Sequence, residues 1–256
     1  MNLSLATLPD WAFAFVLVLG RIGAALTLLP GLGEASPPAM LRAGLAIGIT
    51  ALLLPGIAPL VPQMPGGIAE AAGMVAAEVV TGLWLGWLAR LLTLALPIAG
   101  QFIAYMLGVS NVLVTDPELG SQSSALEQLF SLAAPLALLV SGLYVLPLAA
   151  LAGSYDLIKP GALLPAGDGA MVAVRAVGES FALALKLASP FVLAAIVWHV
   201  VIGLLARLVP NVQVYFVSLP GQILGGLVLL AALSGVLFAT WMDAIGAGFG
   251  RLPGLP

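Results

Sequence analysis

Residues 181–206 read FALALKLASPFVLAAIVWHVVIGLLA, and Lys186 is the only charged side chain among them. Coiled as an α-helix, a stretch of this length extends ~39 Å, more than the ~30 Å of hydrocarbon in a bilayer. A soluble globule could hide such a segment only behind a polar surface. The rest of the chain does not supply one: of 256 residues 62% are hydrophobic and 7% are charged, against roughly 25% charged in ordinary soluble domains. A mean hydropathy of +1.17 makes the excess global. The solvent for this chain is lipid or equally apolar protein.

Further apolar blocks lie on either side, at 11–29, 43–61, 71–113, 129–153 and 214–242, each long enough to span. The block at 71–113 is about twice a single span, with Arg90 near its middle and Pro97 soon after. It reads as two helices or one long broken one. Turn chemistry separates the blocks: Leu29-Pro30-Gly31, Pro62 to Gly67, Asp116-Pro117-Glu118-Leu119-Gly120, Lys159-Pro160-Gly161 and Val209-Pro210-Asn211. Connections this short leave no room for a separate soluble domain. The longest polar interval runs from Ser154 to Ser180. The expected fold is all-α, a polytopic membrane protein of helical hairpins forming a single domain over 1–256. No basic residue precedes the first block, so it is expected to be retained and not cleaved.

Splitting the 71–113 block at Arg90 puts Arg42, Arg90, Lys159, Arg175, Lys186 and Arg251 on one side, which the positive-inside rule makes cytoplasmic. Arg207 dissents, and any other split destroys the pattern. The eight basic residues are scattered, so there is no electrostatic footprint for nucleic acid. The absence of cysteine removes disulfides, thiolate catalysis and Cys-ligated metals, and a single histidine removes the usual His-rich metal sites. No cofactor is expected.

Arg21, Glu78, Arg90, Gln101, Lys186 and Gln222 interrupt the apolar blocks. A central charge costs about 3 kcal/mol on insertion, which ~20 aliphatic residues outweigh. Each such charge favours a protein surface or a wet path. Glu78 and Arg90 are ~18 Å apart along one helix and cannot pair within it. Close helix packing is suggested by the GxxxG pairs Gly44/Gly48, Gly82/Gly86, Gly221/Gly225 and Gly246/Gly250. Catalytic patterns are weak. Gly108-Val109-Ser110-Asn111 lacks the second glycine of a nucleophile elbow, and His199 beside Trp198 reads as a structural histidine. No zinc, Walker or dinucleotide signature appears. Asp116 and Glu118 read as turn and helix-start residues. The chain is expected not to be an enzyme.

Several of these strings together resemble one family end to end. Arg21-Ile22-Gly23, then Leu29-Pro30-Gly31, Glu34, Pro37-Pro38 and Arg42 resemble its opening. Asp116-Pro117 with Gly120 and Gln122, Ser154-Tyr155 and Pro160-Gly161 resemble its middle. The run from Leu208 to Val217, followed by Leu219-Pro220-Gly221-Gln222-Ile223, resembles its close. The family is that of the flagellar biosynthetic FliR proteins and their relatives in type III secretion injectisomes. The resemblance implies an export-gate subunit of the bacterial inner membrane and flagellar basal body. It implies FliP and FliQ as partners in the gate core, with FlhB and FlhA attached and unfolded flagellar subunits as cargo. It also implies long, bent helical hairpins packed against other subunits, with Arg21, Glu78, Arg90 and Lys186 as polar residues facing subunit interfaces. A plug-like segment of that family falls on Ser110, Asn111, Val112, Leu113, Val114, Asp116 and Pro117, where Asn111 and Val114 stand in place of bulkier aromatic residues. An injectisome gate, an independent small-solute channel or transporter and, third, a membrane-embedded hydrolase are the rival expectations.

Overall fold

The computed structural model describes residues 8–33, 38–109, 113–115, 122–208 and 214–255. Its helices are α1 (Leu8–Leu28), α2 (Ala39–Ile57), α3 (Ile68–Thr93), α4 (Ala95–Leu107), α5 (Ala125–Ser141), α6 (Val145–Leu157), α7 (Ala166–Leu208) and α8 (Val214–Phe249). A 3-10 turn, Ala58–Leu60, extends α2. One short antiparallel ladder joins β1 (Leu113–Thr115) to β2 (Gln122–Ser124), with Leu113 opposite Ser124 and Thr115 opposite Gln122. The protein is an all-α, multi-pass membrane protein. Among the described residues five helical runs are long and apolar enough to cross a bilayer, or six if α5 and α6 form one bent span.

The 71–113 block is one long helical run from Ile68 to Leu107, interrupted at Leu94. Pro97 explains the interruption, because it has no N–H to return to the Thr93 carbonyl one turn earlier. No turn falls at Arg90, which lies in the last turn of α3. The split on which the cytoplasmic side was chosen is therefore absent. The 129–153 block, expected as a single span, is bent by 75° between α5 and α6. Gly142 sits there with φ +78°, a left-handed conformation that ends α5. The polar interval 154–180 holds the first turns of α7 as well as the connection before it.

The chain forms two compact units, each assembled from separate stretches. Unit 1 comprises Met1–Leu92, Leu138–Val177 and Gly246–Pro256. Its centre is α1, whose buried positions Phe13, Ala14, Leu17, Val18, Arg21, Ile22, Ala25 and Leu26 recur at the helical repeat. Leu85, Leu88 and Ala89 of α3, Ala150 and Leu151 of α6, and Phe249 and Leu252 complete the core. Gly82 and Gly86 bring α3 against α1: a Cβ at Gly82 would overlap the Arg21 carbonyl, and one at Gly86 would stand 2.6 Å from the Ala25 carbonyl. The GxxxG reading holds for this pair as a packing seam within the chain. The pair Gly44/Gly48 faces open space on α2, where Met40, Leu41, Ile47 and Leu52 are exposed.

Unit 2 comprises Thr93–Ala137 and Gly178–Ile245. Ala184, Leu187, Ala188, Phe191 and Ala195 form the buried stripe of α7. Leu96, Ala99, Ile103 and Leu107 of α4, Phe130 and Ala134 of α5, and Leu237 and Trp241 of α8 are the remaining core. The Phe130 and Phe238 rings meet edge to face at 5.8 Å, an arrangement the ring quadrupoles favour.

Candidate functional site

Each unit fastens polar side chains in its interior. In unit 1 the fastening is ionic. Arg21 lies in the buried stripe of α1, so its guanidinium must find partners inside the protein. Glu78, on α3, provides them: Nε to Oε2 at 2.8 Å and Nη2 to Oε1 at 2.9 Å, the two-pronged arrangement in which a planar guanidinium matches a carboxylate. Both side chains are 0% exposed. Arg21 Nη1 donates to Ser154 Oγ at 3.1 Å, and Nη2 donates again to the Ile158 carbonyl at 3.0 Å. Glu78 Oε1 accepts a further bond from the Gly161 N–H at 2.7 Å.

The Tyr155 ring closes the node, with Arg21 Cζ 4.1 Å from the ring centroid, a cation–π contact in a dry site. Tyr155 Oη donates to the Val18 carbonyl at 3.4 Å, and Ser154 Oγ donates to the Leu151 carbonyl at 2.7 Å. Four guanidinium hydrogens and both carboxylate oxygens are thus engaged. Charge is balanced, and three separate pieces of chain, α1, α3 and the end of α6 with its following turn, meet at one point. Nothing in the node is poised to react. Its chemistry is positional: a satisfied buried pair fixes the register of the helices that carry it.

In unit 2 the fastening is neutral. α4 ends in a Schellman motif with Gly108 left-handed at φ +72°. The Gly108 N–H bonds to the Tyr105 carbonyl and the Val109 N–H to the Ala104 carbonyl. A helix end leaves four carbonyls without helical partners. Gln222 of α8 takes a third of them, Nε2 donating to the Met106 carbonyl at 2.9 Å. At the start of α5, Ser124 Oγ accepts from the Glu127 N–H at 3.1 Å, an N-cap. The Ser124 N–H itself donates to Gln101 Oε1 at 3.2 Å.

Of the residues singled out in the sequence, Arg21 and Glu78 are brought together and enclosed by their own chain. Arg90 is half-buried in the last turn of α3, and Lys186 is exposed on α7. Leu113 and Val114 belong to β1. Ser110, Asn111, Val112, Asp116 and Pro117 lie outside the described residues. His199 is exposed on α7 with Nδ1 2.7 Å from the Ala195 carbonyl, so that nitrogen carries the proton. Three participants of the node, Ser154, Tyr155 and Gly161, stood in the sequence only as parts of short motifs. The pairing of Arg21 with Glu78 had one available signal: Arg21 is the only charge in the block at 11–29, and Glu78 the only carboxylate in the block at 71–113.

The fold and its interior define the class as a multi-pass helical membrane protein whose buried polar groups hold helices in place. The particular family follows from the sequence as a whole: residues 12–248 match the bacterial export proteins, family 1, and the chain belongs to that family. It is 31% identical over 232 residues to the flagellar biosynthetic protein FliR of Caulobacter vibrioides, covering 90% of this chain and 92% of that one. Identity is 29% over 230 residues to FliR of Bacillus subtilis, covering 88% and 87% of the two chains. For FliR of Escherichia coli it is 25% over 227 residues, with 88% and 85% covered.

Proposed function

We propose that this chain is a component of the flagellar export apparatus in the bacterial inner membrane, where it joins FliP and FliQ to form the channel that passes unfolded flagellar subunits. The observation that carries the reading is the family match over 12–248, supported by FliR relatives of nearly the same extent. The shape of α7 supports it on physical grounds. Its 43 residues extend ~65 Å, about twice the hydrocarbon thickness. Only 11% of its most apolar stretch is buried within the chain. Phe181, Leu185, Leu193, Ile196, Val197, Val200 and Leu204 are all exposed along it. Lipid can cover about half of such a helix, and helices of partner subunits cover the rest. Lys186, exposed in the same helix, is then a charge for a partner to satisfy; Arg90, half-buried at the end of α3, is placed at a subunit interface in this reading. Arg21 and Glu78 keep the chain in the form that partners recognise.

Within this reading the segment from Ser110 to Pro117 is the plug of the closed channel, with small apolar side chains that exclude ions by dewetting. FlhB and FlhA are the further partners. The test is affinity purification in mild detergent with subunit identification. FliP and FliQ are expected to co-purify, and a deletion strain is expected to be non-motile. A chain that purifies alone and transports a small solute would overturn the proposal. Removing Ser110 to Asp116 is expected to raise ion leakage through an assembled complex, and unchanged conductance would remove the plug.

A further inference from the structure

We propose that the start of α1 and the end of α2 form a binding site for the headgroup of a zwitterionic phospholipid that carries a primary ammonium, with Asp10 and Trp11 as its recognition residues. Within unit 1 these two helix ends enclose a cleft of about 340 Å³, lined by Asp10, Trp11, Pro55, Pro59, Pro62 and Gln63 among others. That volume is at the small end of ligand sites, which hold ~300–1,000 Å³. α1 and α2 are consecutive, pack against each other, and are each long enough to cross a bilayer. The beginning of one and the end of the next therefore share one face of the membrane, at the depth where headgroups lie and tryptophan gathers.

The lining selects the sign of the ligand. Asp10 is the one charge in the cleft, and among the described residues none forms an ion pair with it. A carboxylate in the first turn of α1 also complements the helix dipole. That local use accounts for neither the ring beside it nor the opposite wall. Trp11, half-buried, lines the same cleft with the aromatic side chain best suited to lie against a cation. The opposite wall is the C-terminal end of α2 and its 3-10 turn, where carbonyls outnumber N–H groups. Prolines deepen that imbalance: Pro59 has no N–H to return to the Pro55 carbonyl, and the Ala58 N–H goes to the Leu54 carbonyl. Carboxylate, ring and helix C-terminus all favour a cation. The Gln63 amide can accept from an ammonium and donate to a phosphate oxygen, which suits both charges of a zwitterionic headgroup. A primary ammonium has N–H groups for these acceptors, whereas a quaternary one keeps only the ring. The site stands whether or not the chain works in export.

The test is native mass spectrometry of the purified chain, with any subunits that accompany it, delipidated in mild detergent. Phosphatidylethanolamine, phosphatidylcholine and phosphatidylglycerol are added back in equal amounts. One phosphatidylethanolamine adduct is expected to be held about fivefold more tightly than either competitor, the worth of a charge-assisted bond screened at an exposed carboxylate. Asp10→Asn is expected to abolish that preference, Asp10→Glu to keep it, and Trp11→Leu to weaken the adduct about threefold. Equal binding of the three lipids, a preference for phosphatidylglycerol, or an adduct unchanged in Asp10→Asn overturns the inference. Should Asp10→Asn fail to fold, the order of the three lipids on the parent chain and the Trp11→Leu variant decide. Displacement of the lipid by an equal concentration of free ethanolamine phosphate would make the ligand a soluble amine and overturn the lipid. Loss of an accompanying subunit from Asp10→Asn, with lipid binding unchanged, would make the occupant a partner's lysine and overturn it as well.

Discussion

The Arg21 node of unit 1 and the glutamine ties of unit 2 solve the same problem with different chemistry. Both satisfy polar groups inside an apolar protein, and both join pieces of chain that are distant in sequence. The node uses a full charge pair, 0% exposed, with four bonds from the guanidinium alone. Each tie uses one neutral bond from a part-buried amide. Losing half of a buried ion pair leaves an uncompensated charge, at a cost of about 3–5 kcal/mol, whereas a neutral bond contributes about 1 kcal/mol net. The first kind of fastening is the costlier to break and the second the cheaper. The costly fixing is found where α1, α3 and α6 meet, and the cheaper one at the end of α4 and the start of α5.

The largest break in this comparison is Arg21→Met or Glu78→Leu alone. Either is expected to destabilise the chain by about 3–5 kcal/mol, read as loss of the protein from membranes or a lower unfolding temperature in detergent. The double variant is expected to recover most of that loss, because no charge is left unpaired. A double variant as damaged as either single would show that packing, not charge, dominates. Next is Gly82→Val, whose side chain would be driven into the α1 backbone at Arg21. Overpacking of this kind costs about 1–3 kcal/mol. Gly44→Val, placed in open space on α2, is expected to leave folding unchanged and serves as the control. Ser154→Ala comes third. It takes one acceptor from a buried guanidinium and is expected to cost about 1–2 kcal/mol, with Glu78 still in place to hold the charge.

Much of this fold was legible in hydrophobicity and little of the site was. Four of the six apolar blocks correspond to one helix each and the other two each to a broken pair, since lipid-facing segments carry their signal in composition. The bend after α5 escaped because Gly142 sits within an apolar run, and a glycine there reads as packing as readily as a stop. The first turns of α7 escaped because Gly167, Asp168 and Gly169 look like a loop. For the node, spacing along one helix showed only that Glu78 could not pair with Arg90. The partner it does have is 57 residues away on another helix, and contacts between helices leave no periodic trace. Gln101 and Gln222 were visible as polar interruptions. That they serve the end of α4 and the start of α5 depends on where α4 stops, and the Schellman bonds that stop it at Gly108 leave no trace in composition.

The smallest expected effect is the most discriminating test of what holds the node. Tyr155 meets Arg21 in two ways: its ring lies under the guanidinium, and its hydroxyl reaches the Val18 carbonyl on the same helix as Arg21. Tyr155→Phe keeps the ring and removes only the hydroxyl. At 3.4 Å that bond is at the long limit, where its contribution falls below the usual value. The change is expected to cost less than about 1 kcal/mol, with assembly intact. Tyr155→Leu removes the π face beneath a desolvated cation as well, a contact worth up to about 2 kcal/mol in dry sites, and is expected to cost measurably more. Unfolding temperatures of the two variants in the assembled complex decide the matter. If phenylalanine and leucine destabilise equally, the ring acts as bulk and the fixing belongs to the Arg21–Glu78 pair alone.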